Sequence, residues 1–223
     1  ADLLPTYRVA PAAVHVVEPG TDDPIAGAIQ RTKRFNPNAV LSPVTLLCVA
    51  SLTQRKGHAV LFEALAPWRD AHWMLHCVGS TQRDPRLVQA RLRQLNRLGL
   101  AERVALEGEL DDETLAQHYR RADAFVLSSH FEGYGMVFDE AVAYGLPVIS
   151  TRVGAVESIV PAAGHALVAP DDVAGLSREL GRFIQEPAWR KTLTQNALAA
   201  TGVRRSWDQA GAAFDRALCA LTS

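Results

Sequence analysis

The sequence is short of several features that would point to particular classes of protein. It has no apolar run near the roughly 18 residues that a membrane span requires. Its three cysteines, Cys48, Cys77 and Cys219, lie far apart, so their spacing predicts neither a disulfide framework nor a metal site. This favours a reducing cytoplasm. The first residues carry no signal-peptide pattern and no initiator methionine, and we therefore expect a fragment of a longer protein.

An excess of charge of either sign is also lacking. Twenty-three basic side chains balance twenty-four acidic ones, leaving a formal net charge of −1. Binders of nucleic acid or of membrane surfaces usually carry a basic excess, so the balance argues against both classes of partner. Hydrophobic residues, by contrast, make up 48% of the 223 positions, which is enough for a sizeable core.

From Thr45 onward, short apolar runs alternate with helical patterns. The runs are typical of fully buried parallel strands, and they predict strands at Thr45–Ser51, Trp73–Val78, Val104–Leu106, Ala124–Leu127, Val148–Thr151 and Ala166–Val168. Helices are predicted at His58–Ala66, Pro85–Leu98, Glu113–Arg121, Met136–Tyr144, Val173–Gln185, Ala188–Ala199 and Trp207–Leu221. The alternation predicts an α/β fold, a doubly wound parallel sheet of about six strands with helices on both faces.

The first 43 residues differ in composition from the rest. Val14–Val17 predicts one more strand, and the prolines and glycines that follow predict turns and a linker up to Pro43. We therefore expect two parts, a linker segment (residues 1–43) and a ligand-binding domain (residues 44–223).

The strongest candidate site follows the predicted strand Ala124–Leu127. Gly133 and Gly135 precede a predicted helix, so backbone N–H groups there can point at an anion beside the helix N-terminus. Glu132 can accept hydrogen bonds from sugar hydroxyls, and Glu140 can bind a vicinal diol such as ribose. Plainer interpretations stay open, a solvated loop acid for Glu132 and an acid favoured by the helix dipole for Glu140.

Other loops at the same ends of the strands carry weaker signals. Arg55 and Lys56 precede a predicted helix and can bind phosphate, although a solvated basic turn has the same sequence. No Walker loop or Gly-x-Gly-x-x-Gly fingerprint accompanies them. The backbone at Glu107–Leu110 can pair with a heterocycle or form an ordinary turn, with Asp111 as a helix cap. Arg152 is expected to form a surface ion pair.

A family resemblance links these loops. Glu132 and Glu140 with the intervening Gly-Tyr-Gly, followed by Ala-x-Ala-x-Gly-Leu-Pro-Val-Ile, resemble the retaining glycosyltransferases of family four. Those enzymes have the GT-B architecture of two Rossmann-like domains. Leu52–Gly57 resembles the diphosphate-binding loop of the family, and Ala122–Ser128 resembles its next core strand. The likeness extends from Leu46 to Asp172, and Val16–Asp22 resembles the hinge between the two domains.

The resemblance implies that this chain is the C-terminal, donor-binding half of a hexosyltransferase. The implied site residues are Lys56 and Glu132 as catalytic groups, and Ser51, Arg55, Lys56, Glu109, Leu110, Glu132, Gly133, Tyr134, Gly135, Met136, Val137 and Glu140 as donor-binding groups. Lys56 would hold the diphosphate, Glu140 the ribose, and the backbone at Glu109–Leu110 the base. Ser51 stands where the family usually has Arg, so Arg55 is the candidate replacement for that cation.

The same resemblance implies the partners. The donor would be a UDP- or GDP-sugar, and the acceptor a sugar or a lipid-linked sugar. The N-terminal domain of the same polypeptide would supply acceptor contacts and could bring the enzyme to the inner face of the membrane. Neither a cofactor nor a metal is expected, and no Asp-x-Asp motif is present.

Three other functions are alternatives to the donor-binding half of a hexosyltransferase. A glycoside hydrolase would use Glu132 and Glu140 as acid and nucleophile across a scissile bond. A nucleotide-sugar epimerase can have the same two-domain architecture, and a non-catalytic nucleotide-binding module would need the same loops.

Overall fold

The structure is a computed structural model that describes residues 14–21, 42–160, 162–199 and 206–222. These residues belong to two compact units, one with residues 42–160 and 162–199 and the other with residues 14–21 and 206–222. Most of the predicted linker lies outside the described residues, so the division at residue 43 stays a prediction.

The larger unit is built on one parallel sheet. Its strands are β1 (Val44–Val49), β2 (Trp73–Val78), β3 (Val104–Gly108), β4 (Ala124–Leu127), β5 (Val148–Thr151) and β6 (His165–Val168). Every strand pair is parallel, and the strand order is β3-β2-β1-β4-β5-β6. The predicted fold class is confirmed, because both the parallel pairing and the alternation with helices are present.

The strand order creates a switch point in the middle of the sheet. The chain proceeds from β1 through β2 to β3 at one edge, then returns past β1 to place β4 on its other side. Loops that follow β1 and β4 therefore leave the sheet in opposite directions and open a crevice at the carboxyl ends of these strands. Ligands of doubly wound sheets bind at such a crevice.

Helices follow the strands as the periodicity predicts. In the larger unit they are α1 (His58–Leu65), α2 (Pro85–Leu98), α3 (Asp112–Arg121), α4 (Met136–Ala143), α5 (Val156–Ile159), α6 (Val173–Gln185) and α7 (Pro187–Ala199), and the smaller unit has α8 (Trp207–Thr222). The sequence did not predict the short helix α5. Of the helices in the described ranges, none combines the length and the apolar character needed to cross a membrane.

Local signals set the ends of these helices. Asp84 accepts a hydrogen bond from the backbone N–H of Leu87 at 3.0 Å, and Gly99 ends α2 with a φ of 71°. Asp111 caps α3 by accepting from the N–H of Thr114 at 2.8 Å, which confirms its predicted role. Each cap satisfies a backbone group that the helix itself leaves unpaired.

The core lies between the sheet and its helices. The four residues of β4 and the four of β5 are all buried, as expected for central strands covered on both faces. Trp73 at the start of β2 is fully buried and donates its indole N–H to the carbonyl oxygen of Trp68 at 2.7 Å. This hydrogen bond fixes the start of β2, at the end of the sheet opposite to the candidate site.

The smaller unit corrects one prediction. Residues 14–21 contain no strand, so the strand predicted at Val14–Val17 is wrong. Val16 is 85% exposed, so the apolar run there is not buried as a strand in a sheet would be. In the same unit Ser206 and Gln209 form a reciprocal cap at the start of α8, with distances of 3.0 and 3.2 Å.

Candidate functional site

The loops after β1 and β4 touch through their backbones. A 3₁₀ turn, Gln54–Lys56, ends at Gly57, which has a φ of 67°. A Cβ atom on Gly57 would overlap the carbonyl oxygen of Ser128, so only glycine fits there. The Ser128 hydroxyl donates to the Gly57 carbonyl at 2.8 Å, and the N–H of His130 donates to the carbonyl of Arg55 at 2.9 Å. The two loops are therefore joined at the switch point.

This junction brings together Arg55, Lys56, Ser129 and Glu132, which we call the central cluster. Lys56 Nζ lies 2.7 Å from Glu132 Oε1, and the Ser129 hydroxyl donates to the same oxygen at 2.5 Å. An Arg55 guanidinium nitrogen lies 3.3 Å from Glu132 Oε2 and donates to the carbonyl of Phe131 at 2.7 Å. Two cations thus converge on one buried carboxylate.

The central cluster holds Glu132 in its ionised form. Burial alone would raise the pKa of this carboxyl group, because the side chain is only 4% exposed. Hydrogen bonds from Lys56 and Ser129, together with the charges of Lys56 and Arg55, outweigh burial and hold the pKa of Glu132 below its ordinary value. A carboxylate in this state can accept hydrogen bonds but is poorly suited to donate a proton, which disfavours the acid of a glycoside hydrolase.

The end of β5 and the loop that follows it support the backbone of the central cluster. The Thr151 hydroxyl donates to the carbonyl of Ser129 at 2.6 Å, and the Ser150 hydroxyl donates to that of Leu127 at 2.6 Å. Gly154 has a φ of 54°, and a Cβ atom there would overlap the carbonyl oxygen of Glu132. Three strand ends therefore fix the backbone around Glu132.

Helix α4 begins beside Glu132 without a side-chain cap. Gly135 precedes it with a φ of 91° and, having no side chain, does not itself cap the first turn. Gly133 is exposed, and a Cβ atom on it would have no neighbour within 4 Å. Tyr134 and Val137 are half-buried, and Met136 is exposed. The start of α4 therefore lies next to Glu132 and the exposed Gly133, and anion binding there stays a prediction.

The second glutamate of the motif has a specific partner. The hydroxyl of Tyr119, on α3, donates to Glu140 Oε2 at 2.8 Å. The Tyr119 ring is buried and stacks on Tyr144 with centroids 4.9 Å apart. Burial and the charge of Glu140 raise the pKa of Tyr119 well above its ordinary value, so the hydroxyl stays protonated as a donor. A buried tyrosine therefore orients the carboxylate of Glu140. This argues against the plainer interpretation, in which Glu140 is only an acid favoured by the helix dipole.

The end of β3 is more open. Gly108 has a φ of 74°, and a Cβ atom on it would have nothing within 4 Å. Glu109 is exposed, and Leu110 is half-buried against the core. We call Gly108–Leu110 the β3 corner. The space beside the Gly108 Cα is open, while its carbonyl oxygen accepts a hydrogen bond from the N–H of Gly79 at 2.8 Å.

The remaining predicted residues occupy ordinary positions. Ser51 is half-buried and is the second residue after β1. Arg152 pairs with Glu157 at 2.6 Å, both side chains being more than half exposed, which confirms the predicted surface ion pair.

Sequence reasoning missed the residues that position the site. Ser129, Thr151 and Tyr119 were not among the candidates, although the first two belong to hydroxyl pairs directly after or at the end of buried strands. Hydroxyl pairs at strand ends are a usable signal, because a buried hydroxyl must find a hydrogen-bond partner. Tyr119 had no such signal, since its contact with Glu140 depends on how α3 and α4 pack.

Comparison with known proteins identifies the family. The model of the family described as glycosyl transferases group 1 matches residues 43–186. This chain belongs to that family. The predicted resemblance to GT-B glycosyltransferases is thereby confirmed.

Relatives and solved structures agree with this assignment. D-inositol 3-phosphate glycosyltransferase of Streptosporangium roseum is 30% identical over 207 residues, which are 89% of this chain and 48% of that protein. Sucrose-phosphate synthase from Thermosynechococcus elongatus superposes with a TM-score of 0.79 at 27% identity, covering 99% of this chain and 56% of that one. Anabaena HepE, solved with UDP-glucose, has the same fold, with a TM-score of 0.76 at 22% identity over 93% of this chain and 57% of its own. The chain spans about half the length of the curated relatives it matches.

Proposed function

We propose that this chain is the donor-binding part of a retaining glycosyltransferase. The enzyme transfers a hexose from a UDP- or GDP-sugar to a sugar or lipid-linked acceptor, in glycan or glycolipid biosynthesis. The observation that carries the proposal is the central cluster at the switch point, where Lys56 and Arg55 meet Glu132 beside the uncapped start of α4. Membership of the glycosyl transferases group 1 family supports the class of reaction.

The diphosphate of the donor binds at Lys56 and Arg55. When the bond between the sugar and the diphosphate breaks, negative charge builds on the leaving phosphate while the sugar becomes oxocarbenium-like. Fixed cations and a helix N-terminus aimed at that charge stabilise the transition state without reorganising. Lys56 is suited to this role because its ammonium group is already held in place, 2.7 Å from Glu132. In this proposal Arg55 supplies the positive charge that the family usually has at the position of Ser51.

Glu132 and the glycines beside it hold the sugar. The ionised carboxylate accepts hydrogen bonds from sugar hydroxyls, and the N–H groups of Gly133 to Val137 face the sugar and the phosphate. Gly133 leaves open space for a ring to approach the backbone.

Glu140 and the β3 corner hold the nucleoside. Both carboxylate oxygens of a glutamate can accept from the two hydroxyls of a ribose, and Tyr119 orients this carboxylate through its 2.8 Å hydrogen bond. The backbone at Glu109 and Leu110 pairs with the base. A structure of the same fold was solved with UDP-glucose, so the fold has room for a donor of this size.

The rest of the enzyme completes the reaction. An N-terminal domain of the same polypeptide supplies the acceptor contacts, so the chain by itself binds donor without transferring sugar. We propose a cytoplasmic enzyme, associated with the inner face of the membrane through that domain. The expectation that transfer needs no metal or cofactor stays a prediction, as does the absence of a nucleic-acid partner.

A panel of nucleotides tests this function on the chain itself. Binding is measured by titration calorimetry, and the melting temperature by thermal shift, with UDP, GDP and ADP and with their glucose or mannose conjugates. We expect saturable binding of at least one nucleoside diphosphate and a rise in melting temperature, because a ligand that binds only the folded state stabilises it. If none of these compounds binds, the donor-site proposal is wrong.

A further inference from the structure

A second group of chemically capable side chains lies outside the proposed donor-binding residues. His76 on β2, Glu107 on β3 and His118 on α3 each offer one atom able to bind a metal, and these three atoms all lie within 4.8 Å of one another. The residues are 31 and 11 positions apart in the sequence, so no spacing motif reveals them. Only the fold brings them together.

The sheet and the crossover helix account for this convergence. His76 pairs with Ala105 in the parallel register, and the register then shifts between Cys77 and Val78, where β3 carries Glu107 as an extra residue. The Glu107 carboxylate lies on the same face of the sheet as the His76 ring. Helix α3 returns across this face and brings the His118 ring to a centroid distance of 5.1 Å from the His76 ring. Nδ1 of His76 lies 2.7 Å from Glu107 Oε1.

The group is accessible from solvent. The side chains of His76 and Glu107 are 28% and 30% exposed, and His118 is half-buried. An ion can therefore reach the three ligand atoms without opening the core, and water can occupy a remaining coordination position. The other grouping of this kind in the described residues, Cys48, His58 and Cys77, is buried in the core and lacks such a path.

We propose that His76, Glu107 and His118 bind a divalent transition-metal ion of the zinc class, with three protein ligands and one water. Two imidazoles and one carboxylate are a ligand set that Zn²⁺ accepts in tetrahedral geometry. Ligand atoms about 2.0–2.1 Å from the metal lie about 3.3 Å from one another, so the side chains need to move on the order of 1 Å. The ion replaces the hydrogen bond between His76 and Glu107 as their link.

The bound ion would act on the β3 corner and not on sugar transfer itself. Glu107 immediately precedes Gly108–Leu110, and the three ligands belong to three different elements. A metal would link β2, β3 and α3 next to the segment that is proposed to hold the base. The proposal does not rest on the proposed function, because it requires only these three side chains.

Metal binding is tested with the chain purified without a polyhistidine tag. Titration calorimetry with ZnCl₂ is expected to show one ion per chain, and Co²⁺ is expected to give visible absorption bands of a tetrahedral site. His118→Ala, His76→Ala and the shape-preserving Glu107→Gln should each weaken binding at least tenfold. His72→Ala, a change at an exposed histidine just before β2, should leave binding unchanged.

Two further variants separate this site from its alternatives. Cys48→Ser should not alter the titration, and Co²⁺ bound to the wild type should show no near-ultraviolet thiolate charge-transfer band. Arg121→Gln removes a positive charge that acts on His118, and we expect it to tighten binding about twofold to fivefold. Binding that survives Glu107→Gln and His118→Ala, binding lost in Cys48→Ser, or no saturable binding in the wild type would overturn the proposal.

Discussion

The middle and the edge of the sheet differ at their carboxyl ends. In the middle, between β1 and β4, Glu132 is 4% exposed and is bonded by Lys56, Arg55 and Ser129. At the edge, Glu109 is exposed and Gly108 faces open space. The two regions belong to one sheet and, in our proposal, to one donor site, but the buried ion pair and the hydroxyl hydrogen bonds described above lie in the middle.

This difference matches the two roles that we propose, diphosphate binding in the middle of the sheet and base recognition at its edge. Charges that are held in position before the ligand arrives stabilise developing charge without the cost of reorganising, which suits the diphosphate. An open corner can recognise a base through its backbone without depending on any one side chain. Substitutions in the middle should therefore cost more than substitutions at the edge, and the following predictions test this from the largest expected effect to the smallest.

Replacing Lys56 should have the largest effect. Lys56→Ala removes a charged hydrogen-bond donor to the diphosphate, so we expect the affinity for the nucleoside diphosphate to fall about 5- to 150-fold, or about 1–3 kcal/mol. Calorimetry measures the change. Lys191→Ala, the same substitution at an exposed position of α7, is the control. Equal affinities for the two variants would remove Lys56 from the diphosphate site.

Neutralising Glu132 should lower stability in a way that depends on pH. Glu132→Gln loses charge-assisted hydrogen bonds, and we expect the free energy of unfolding at pH 7 to fall by about 1–2 kcal/mol. The folded-state pKa lies below the ordinary value of 4.5. The stabilisation is therefore fully present above about pH 4.5 and is lost as the pH falls through the folded pKa.

Urea unfolding of wild type and variant across this pH range measures the effect. The difference between the two proteins should shrink towards acid. A difference that stays constant from neutral to acidic pH would mean that the charge of Glu132 does not contribute to stability.

Removing the Tyr119 hydroxyl should have a smaller effect. Tyr119→Phe keeps the ring stacked on Tyr144 and deletes the hydrogen bond to Glu140, so we expect donor affinity to fall about 2- to 10-fold, from a neutral hydrogen bond of about 0.5–1.5 kcal/mol. Tyr144→Phe is the matched control in the same stack. If both variants bind donor equally, Tyr119 does not position Glu140.

Truncating Glu109 should have the smallest effect. Because its side chain is exposed and only its backbone is proposed to contact the base, Glu109→Ala should change donor affinity by less than about twofold, as for most surface substitutions. The nucleotide titration that measures Lys56→Ala measures this variant too. A loss as large as that of Lys56→Ala would show that the edge relies on side-chain contacts and would end the contrast with the middle.

The sequence predicted the sheet well because its signal is local. Ala124–Leu127 is apolar throughout, since both faces of this central strand are buried, and its bounds agree with the structure. The bounds of Trp73–Val78, which is apolar except for His76, agree as well. The same reasoning failed at Val14–Val17. An apolar run shows only that a strand could form, whereas pairing depends on a partner elsewhere in the chain.

The site was predicted in its residue types but not in its connections. Lys56 and Glu132 were candidates because charged residues and glycines follow buried strands. Their ion pair joins residues 76 positions apart and exists only because β4 lies beside β1. Strand order is a property of the whole fold, so neither this contact nor the grouping of His76, Glu107 and His118 could be derived from spacing.

The return of the chain past β1 has a consequence for folding and for protein engineering. A break in the exposed turn at Ala101–Glu102 would leave both cations on the first piece and the carboxylate on the second. Neither piece would hold a complete central cluster, and the second would carry a carboxylate deprived of its counter-charges. Recovery of nucleotide binding after the pieces are mixed would then report that the two halves have reassembled in the correct strand order.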